Sequence, residues 1–399
     1  MKRKYVVLLL IVCFIAAGIA CQKILPKAPA DDEILDGPIE GLTTEQLAQF
    51  IRGDVGFNDE IFTSTTGLGP IFVATSCGTC HAGDGKGHPF TTLTRFGQID
   101  STGNQFLHLG GPQLQQRALN NFQAESIPAG ATFSKFTPPA NTGLGFLDAV
   151  TDGDLLALSD PNDSNGDGIS GKPNWITIPS YLTARQNTIT QNGKYIGRFG
   201  KKAAAFDLFH QTVNAYNQDM GIASSYEPFD TYNGQIVDAE ISNQTVIDVV
   251  VYLKTLKAPI PRNFTNADVD AGKKIFTNIS CGKCHSPDMK TGFSSIAALS
   301  NKTFHPYTDL LLHDMGPALN DGYTEGSAAP SEWRTPALWG LGLSKNSQGG
   351  QVFLMHDGRA RSIEEAIMLH GGEATKSKND FHQLNTVDKA NLITFLESL

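Results

Sequence analysis

The chain has no cysteine to spare for a structural disulfide. Of its six cysteines, Cys13 and Cys21 lie at the extreme N-terminus, and the other four form two pairs, Cys77/Cys80 and Cys281/Cys284. It is also short of positive charge, with 31 Lys and Arg against 40 Asp and Glu, a net −9. That excludes nucleic acid as a partner, because a phosphate-binding protein needs a basic face. No βαβ pattern surrounds either cysteine pair, which excludes a thioredoxin-like redox motif. What is plentiful is glycine and proline, 40 and 20 residues, pointing to long ordered loops rather than a tight helical bundle. The 399 residues, 40% of them hydrophobic, suffice for one large or two medium domains.

The first twenty residues read MKRKYVVLLLIVCFIAAGIA. A basic start precedes an apolar run of about fifteen residues, too short for a comfortable membrane span, so residues 1–20 read as an export signal. Gly18-Ile19-Ala20-Cys21 resembles a lipoprotein cleavage box, with Gly18 where leucine is usual, and predicts Cys21 as an acylated first residue. Loss of this leader removes Lys2, Arg3 and Lys4 and no acidic residue, leaving the remainder more negative still. Residues 21–43 then read as a tether. The expected location is the periplasm, held to a bacterial membrane through lipid.

The four remaining cysteines belong to a repeat. IFVATSCGTCH, residues 71–81, returns as IFTNISCGKCH, residues 275–285. Far downstream of each lies an apolar stripe at helical spacing, Val249/Tyr252/Leu253/Leu256 and Leu392/Phe395/Leu396/Leu399. The chain thus reads as two copies of one unit: helix, Cys-x-x-Cys-His, long loop, closing helix. Pro259 and Pro261 end the first copy, and Asn266 caps the helix that opens the second. The expected domains are 44–260, which carries an insertion, and 261–399. In a helical turn, positions i, i+3 and i+4 share a face. Two thiols there can bond the vinyl groups of a haem while the following histidine reaches the iron, so Cys77, Cys80, His81 and Cys281, Cys284, His285 predict two covalent c-type haems. A four-thiolate zinc site would want the pairs closer together and no histidine after each.

These motifs, with GGPQLQQRAL, NGDGISGKPN, IGRFGKKAA, DLLLHDMGPAL, EWRTPALWGLG and HDGRARSIEEAIMLHGGEA, resemble the bacterial di-haem oxidoreductases of the peroxidase type. Those are relatives of the di-haem cytochrome c peroxidases and of the di-haem enzyme that matures methylamine dehydrogenase. The resemblance implies an all-α protein of two cytochrome c-like domains with long irregular loops. It also implies one peroxide-reactive haem and one relay haem with two protein ligands. His370, fourteen residues after His356, stands where the peroxidases place an axial methionine and the maturation enzyme a tyrosine, which nominates it as the second ligand beside His285. Met315, Met355 and Met368 are the alternatives, and a histidine merely favoured by a helix C-terminus is the plain reading. Gln113 and Asp148 fall in shared stretches and are the candidates for acid–base work on peroxide; His88 and His108 are candidate labile ligands. The implied partners are a periplasmic electron donor or acceptor, with hydrogen peroxide or a partner protein as substrate. The competing functions are a pure electron-transfer cytochrome and a maturation enzyme.

Two departures accompany the resemblance. QVFLMH replaces the Thr-x-Pro that helps the peroxidases hold calcium between their haems. Lys201 stands after GRFG where relatives often carry tryptophan, so an aromatic bridge would have to come from Trp175 or Trp339. A separate run, DSNGDG, places Asp163, Asn165 and Asp167 as the first half of a calcium loop, but its twelfth position is Asn174 rather than glutamate. An Asp/Asn/Gly turn without metal accounts for the same residues.

Overall fold

The computed structural model describes residues 29–97 and 104–399; the leader, Cys21 and the first part of the tether lie outside them. Leu35–Leu399 forms one compact unit. Among the described residues no helix is long and apolar enough to cross a membrane.

Each copy of the repeat is built on a pair of crossed helices. In the first, Thr43 caps the helix Thr44–Asp54 by accepting from the Gln46 N–H, and Gln46 reciprocates. This helix crosses Asn243–Thr255, where Val249, Tyr252 and Leu253 are buried, with Leu256 just beyond its end. Contact is close because Gly53 has no side chain: a Cβ there would sit 2.1 Å from the Asp248 carbonyl oxygen. Arg52 clasps the Asp248 carboxylate at 2.7 and 3.0 Å beside it. In the second copy Asn266 caps Ala267–Asn278, which crosses Thr386–Ser398 at Gly272, whose Cβ would meet the Asn391 carbonyl oxygen at 2.1 Å. Phe276, Tyr307 and Phe395 close that crossing edge to face, with centroids 5.5–5.8 Å apart.

The all-α expectation is wrong. The structure is 36% helical and 12% strand, and among the described residues the long loops carry five small antiparallel sheets. Leu93–Phe96 pairs with Phe133–Phe136 in the register Leu93↔Phe136, and Leu312–Asp314 pairs with Glu332–Arg334. The reason is the length of chain between each Cys-x-x-Cys-His and its closing helix. Such loops fold back over the core, and their buried N–H and C=O groups need partners that a structureless loop would not supply. Short ladders supply them.

A π-turn, Val55–Asp59, extends the first helix and delivers Phe57 to within 5.8 Å of the His81 ring. Helix Ile363–Leu369 is capped by Ser362, which accepts from the Glu365 N–H. The Glu365 carboxylate reaches past the cap to the Arg361 N–H at 2.6 Å. His370 is the first residue beyond this helix.

Candidate functional site

Both Cys-x-x-Cys-His segments open onto one cavity of about 600 Å³. Cys77–Cys80 is a single helical turn capped by Ser76, which accepts from the Thr79 N–H. Cys281–Lys283 makes a tighter turn, entered through Ser280 at φ 66°. In both, the histidine N–H closes onto the first cysteine's carbonyl at 3.0 Å, so the i, i+3, i+4 spacing becomes one shared face. Among the described residues these cysteines form no disulfide. Burial pushes Cys77, Cys80 and Cys281 up to about 12, unlike the depressed thiols of redox pairs.

The histidines carry the clearest signal. His81 Nδ1 lies 2.9 Å from the Pro139 carbonyl oxygen, and His285 Nδ1 lies 2.9 Å from that of Tyr307. A carbonyl only accepts, so each Nδ1 carries the proton and each Nε2 keeps its lone pair. Burial holds both rings down to about 4, neutral and ready to ligate. His370 has the same arrangement: Nδ1 donates to the Ala366 carbonyl at 2.7 Å, and Nε2 has no partner among the described residues. It lines the same cavity and stands close enough to His285 to lower it electrostatically. Met315 and Met355 also line the cavity, whereas Met368 is 38% exposed on the outer face of its helix.

Other candidates fall elsewhere. Asp148 is buried but is not a cavity residue; it pairs with Arg185 at 2.6 Å and Lys254 at 3.1 Å. Burial alone would raise it, but Lys254 and Arg185 outweigh burial and hold it below the ordinary carboxylate range. Gln113 is 1% exposed, and both ends of its amide lack partners among the described residues. It is bridged through the backbone to Arg95, which does line the cavity. His88 accepts the Phe90 N–H at Nδ1 and meets Phe353 edge to face; His108 is exposed. Neither reaches the cavity wall.

In the DSNGDG turn, the Asp163 carboxylate accepts the Gly168 N–H at 3.1 Å. Asp167 accepts the Ile169 N–H and pairs with Lys283 at 2.8 Å. Asn174, the would-be twelfth ligand, donates to the Lys202 and Glu325 carbonyls instead. No cluster of three or more His, Cys, Asp or Glu able to hold a metal ion occurs among the described residues.

Several cavity groups had no signal in the sequence. Arg95 pairs with Glu325 at 2.8 Å, and burial pushes nearby Asp219 up to about 7. Trp333 stacks on His356 at 3.7 Å and 14°, under the Lys202 ammonium at 3.8 Å. Of the two tryptophans nominated as a bridge, Trp339 lines the cavity and Trp175 does not. The rest of the lining is largely apolar and aromatic. Two thiol pairs, neutral histidines with free Nε2 atoms and such walls are what two haems require.

A family described as "Di-haem oxidoreductase, putative peroxidase" matches residues 133–399, a span that includes the second motif. No curated protein matches the chain. Among solved structures, a MauG-like protein associated with microbial copper homeostasis is 14% identical, with 94% of each chain covered and a TM-score of 0.41. The hydrazine synthase of Kuenenia stuttgartiensis, pressurised with xenon, is 13% identical over 94% of this chain and 98% of its own, with a TM-score of 0.37. With the family match covering well over half its length, the chain belongs to the di-haem oxidoreductases and is a redox enzyme of the peroxidase type.

Proposed function

We propose that Cys77/Cys80 and Cys281/Cys284 hold two c-type haems covalently, with His81 and His285 as their proximal ligands. In this reading His370 would be the second protein ligand to the haem held by Cys281, Cys284 and His285, which would suit that haem to electron relay, and the haem held by Cys77, Cys80 and His81 would supply the peroxide chemistry. The haems supply the one-electron and peroxide chemistry; the chain supplies attachment, axial geometry and proton handling. One observation carries the reading. Of ten histidines, all within the described residues, those whose Nδ1 donates to a backbone carbonyl are His81, His285 and His370.

Proton handling falls to groups on the cavity wall. Asp148, paired and ionised, serves as an anchor. Asp219 can hold or release a proton near neutral pH, and the Arg95–Glu325 pair places a cation and a carboxylate in the same space. Gln113, with an unpartnered amide next to Arg95, is placed to receive an ordered water of that network. The reaction draws electrons from a periplasmic donor and ends on hydrogen peroxide or a partner protein. An export signal ending at an acylated Cys21 would place the enzyme on a bacterial membrane surface.

The decisive experiment is His370→Ala, read by electron paramagnetic resonance of the oxidised protein beside the parent. One low-spin signal should become high-spin, and the reduced variant should take up an additional carbon monoxide, with both covalent attachments intact. An unchanged low-spin signal would remove His370 from the iron and pass the role to Met315 or Met355. A mass without added haem, after expression with haem-attachment machinery, would sink covalent attachment itself. A parent that binds no carbon monoxide at either centre would favour simple electron transfer.

A further inference from the structure

The cavity wall carries more positive charge than the protein neutralises. Lys86, Lys201 and Arg334 come from three separate segments and line the space that both Cys-x-x-Cys-His motifs enter. They converge: the Arg334 N–H donates to the Lys201 carbonyl at 3.0 Å, and Lys86 and Arg334 both stand close enough to Lys201 to act on it electrostatically. None of the three makes an ion pair among the described residues. Lys201 Nζ makes no hydrogen bond there either; Lys86 Nζ reaches only the Met355 carbonyl at 3.3 Å. Arg334 donates from Nε to the Gly200 carbonyl at 2.9 Å and from Nη1 to that of Thr335 at 3.2 Å.

The carboxylates these cations sense are already engaged. Asp357, which acts on Lys86 and Lys201, is clasped by Arg359 at 2.8 Å. Asp309, which acts on Arg334, is bonded to His313 at 2.8 Å. Burial therefore lowers all three, Lys86 to about 8, Arg334 to about 10 and Lys201 well below its ordinary value. A lysine can escape by losing its proton, but a guanidinium keeps its charge in a protein. All three are half-buried with no carboxylate of their own, so the wall favours an anion.

We propose that Lys86, Lys201 and Arg334 form a binding wall for the propionate carboxylates of the haems, with Arg334 and Lys201 at its centre. This rests on the reading that both motifs carry haem. Each haem brings two propionates, the only anions that the covalent cofactor itself delivers into this cavity. A planar guanidinium suits a carboxylate with two parallel hydrogen bonds, and the lysines act as point charges. By this assignment Lys201 is a cofactor-binding residue, and its departure from tryptophan in GRFG has a use.

The test uses the full-length haem-loaded protein with Lys201→Met, Lys201→Arg and Lys86→Met. Haem content by mass comes first; absence of haem would count against the attachment reading, not against the wall. In proteins carrying two haems, K201M should shift at least one midpoint potential downward, because an uncompensated propionate favours the ferric state. It should also displace carboxylate bands in the redox infrared difference spectrum. K201R should retain the parent values. If K201M does not accumulate, K86M supplies the same reading. Unchanged potentials and carboxylate bands in the neutral variants would overturn the proposal. So would parent potentials that move on titration with formate, which would mean that a diffusible anion occupies the wall.

Discussion

A histidine binds iron through a ring nitrogen that carries no proton, so the partner of its other nitrogen decides its use. His313 shows the contrast. Its Nε2 meets Asp309 at 2.8 Å and its Nδ1 meets Glu373 at 2.7 Å. Burial would lower it, but Asp309, Cys284 and Glu373 outweigh burial and raise it to about 12, so both ring nitrogens are engaged with acceptors and neither is offered to a metal. Carboxylates divide in the same way. Asp219, raised by burial and lining the cavity, is the expected proton carrier: Asp219→Asn should cut peroxide-dependent turnover by roughly 10²-fold while haem content stays the same. Steady-state turnover beside a haem count checks this. Asp148 should behave oppositely, as a stabiliser. Asp148→Asn strips the partner from Lys254 and Arg185 and should cost roughly 3 kcal/mol near pH 7, measured by denaturant midpoint. Because its folded pKa is depressed, its stabilising effect is present above the unfolded value of about 4 and fades as pH falls below it. The gap between D148N and the parent should therefore close in acid.

At the scale of elements, glycine position tells crossing helices from ordinary ones. Gly53 and Gly272 each press a bare Cα against a carbonyl of the partner helix. Gly272→Ala should thus cost roughly 1–3 kcal/mol through overpacking. Gly153, inside the helix Asp152–Leu158, has only Thr151 Oγ1 near its absent Cβ, at 3.8 Å. Gly153→Ala should instead stabilise by about 0.5–1 kcal/mol through helix propensity; equal signs for the two substitutions would refute the distinction. The Asp167–Lys283 pair makes the DSNGDG turn a brace on the residue next to Cys284. Asp167→Ala should lower thermal stability equally in calcium and in chelator, and a loss confined to calcium would reinstate a metal loop. Features of this local kind were legible in the sequence. The thiol and histidine spacing, Asn266 as a helix start, and the apolar stripes all depend on neighbours within a turn or two. What was illegible depended on distant chain. Strands two to four residues long carry too little alternation to read. The partners of Asp148 come from residues 185 and 254, and Trp333 meets His356 across a loop; no spacing rule encodes either.

On the scale of the whole molecule, a repeated sequence invites the picture of two beads, and the bonds between the copies argue against it. Arg95 of the first copy pairs with Glu325 of the second at 2.8 Å. The Thr137 N–H donates to the His356 carbonyl at 2.8 Å, and Lys172 and Leu312 exchange backbone bonds at 2.8 and 3.0 Å. Asn174, fully buried, donates to the carbonyls of Lys202 and Glu325 and accepts from Ser327 N and Oγ at 2.7 and 2.9 Å. Leaving such partners unmatched costs about 1–3 kcal/mol each, so neither half gains by opening alone. Leu35–Leu399 should therefore unfold in one calorimetric transition, with calorimetric and van't Hoff enthalpies in agreement. Asn174→Ala should lower the midpoint of that transition without splitting it. Cleavage engineered at Pro259–Pro261 should leave the two fragments together on gel filtration, because the contacts that join them do not run through the linker. Two resolved transitions in the parent, or fragments that separate without denaturant, would show that each copy folds and loads its cofactor by itself. The shared cavity would then be only a meeting of neighbours. A single transition would make the two Cys-x-x-Cys-His sites parts of one cooperative fold.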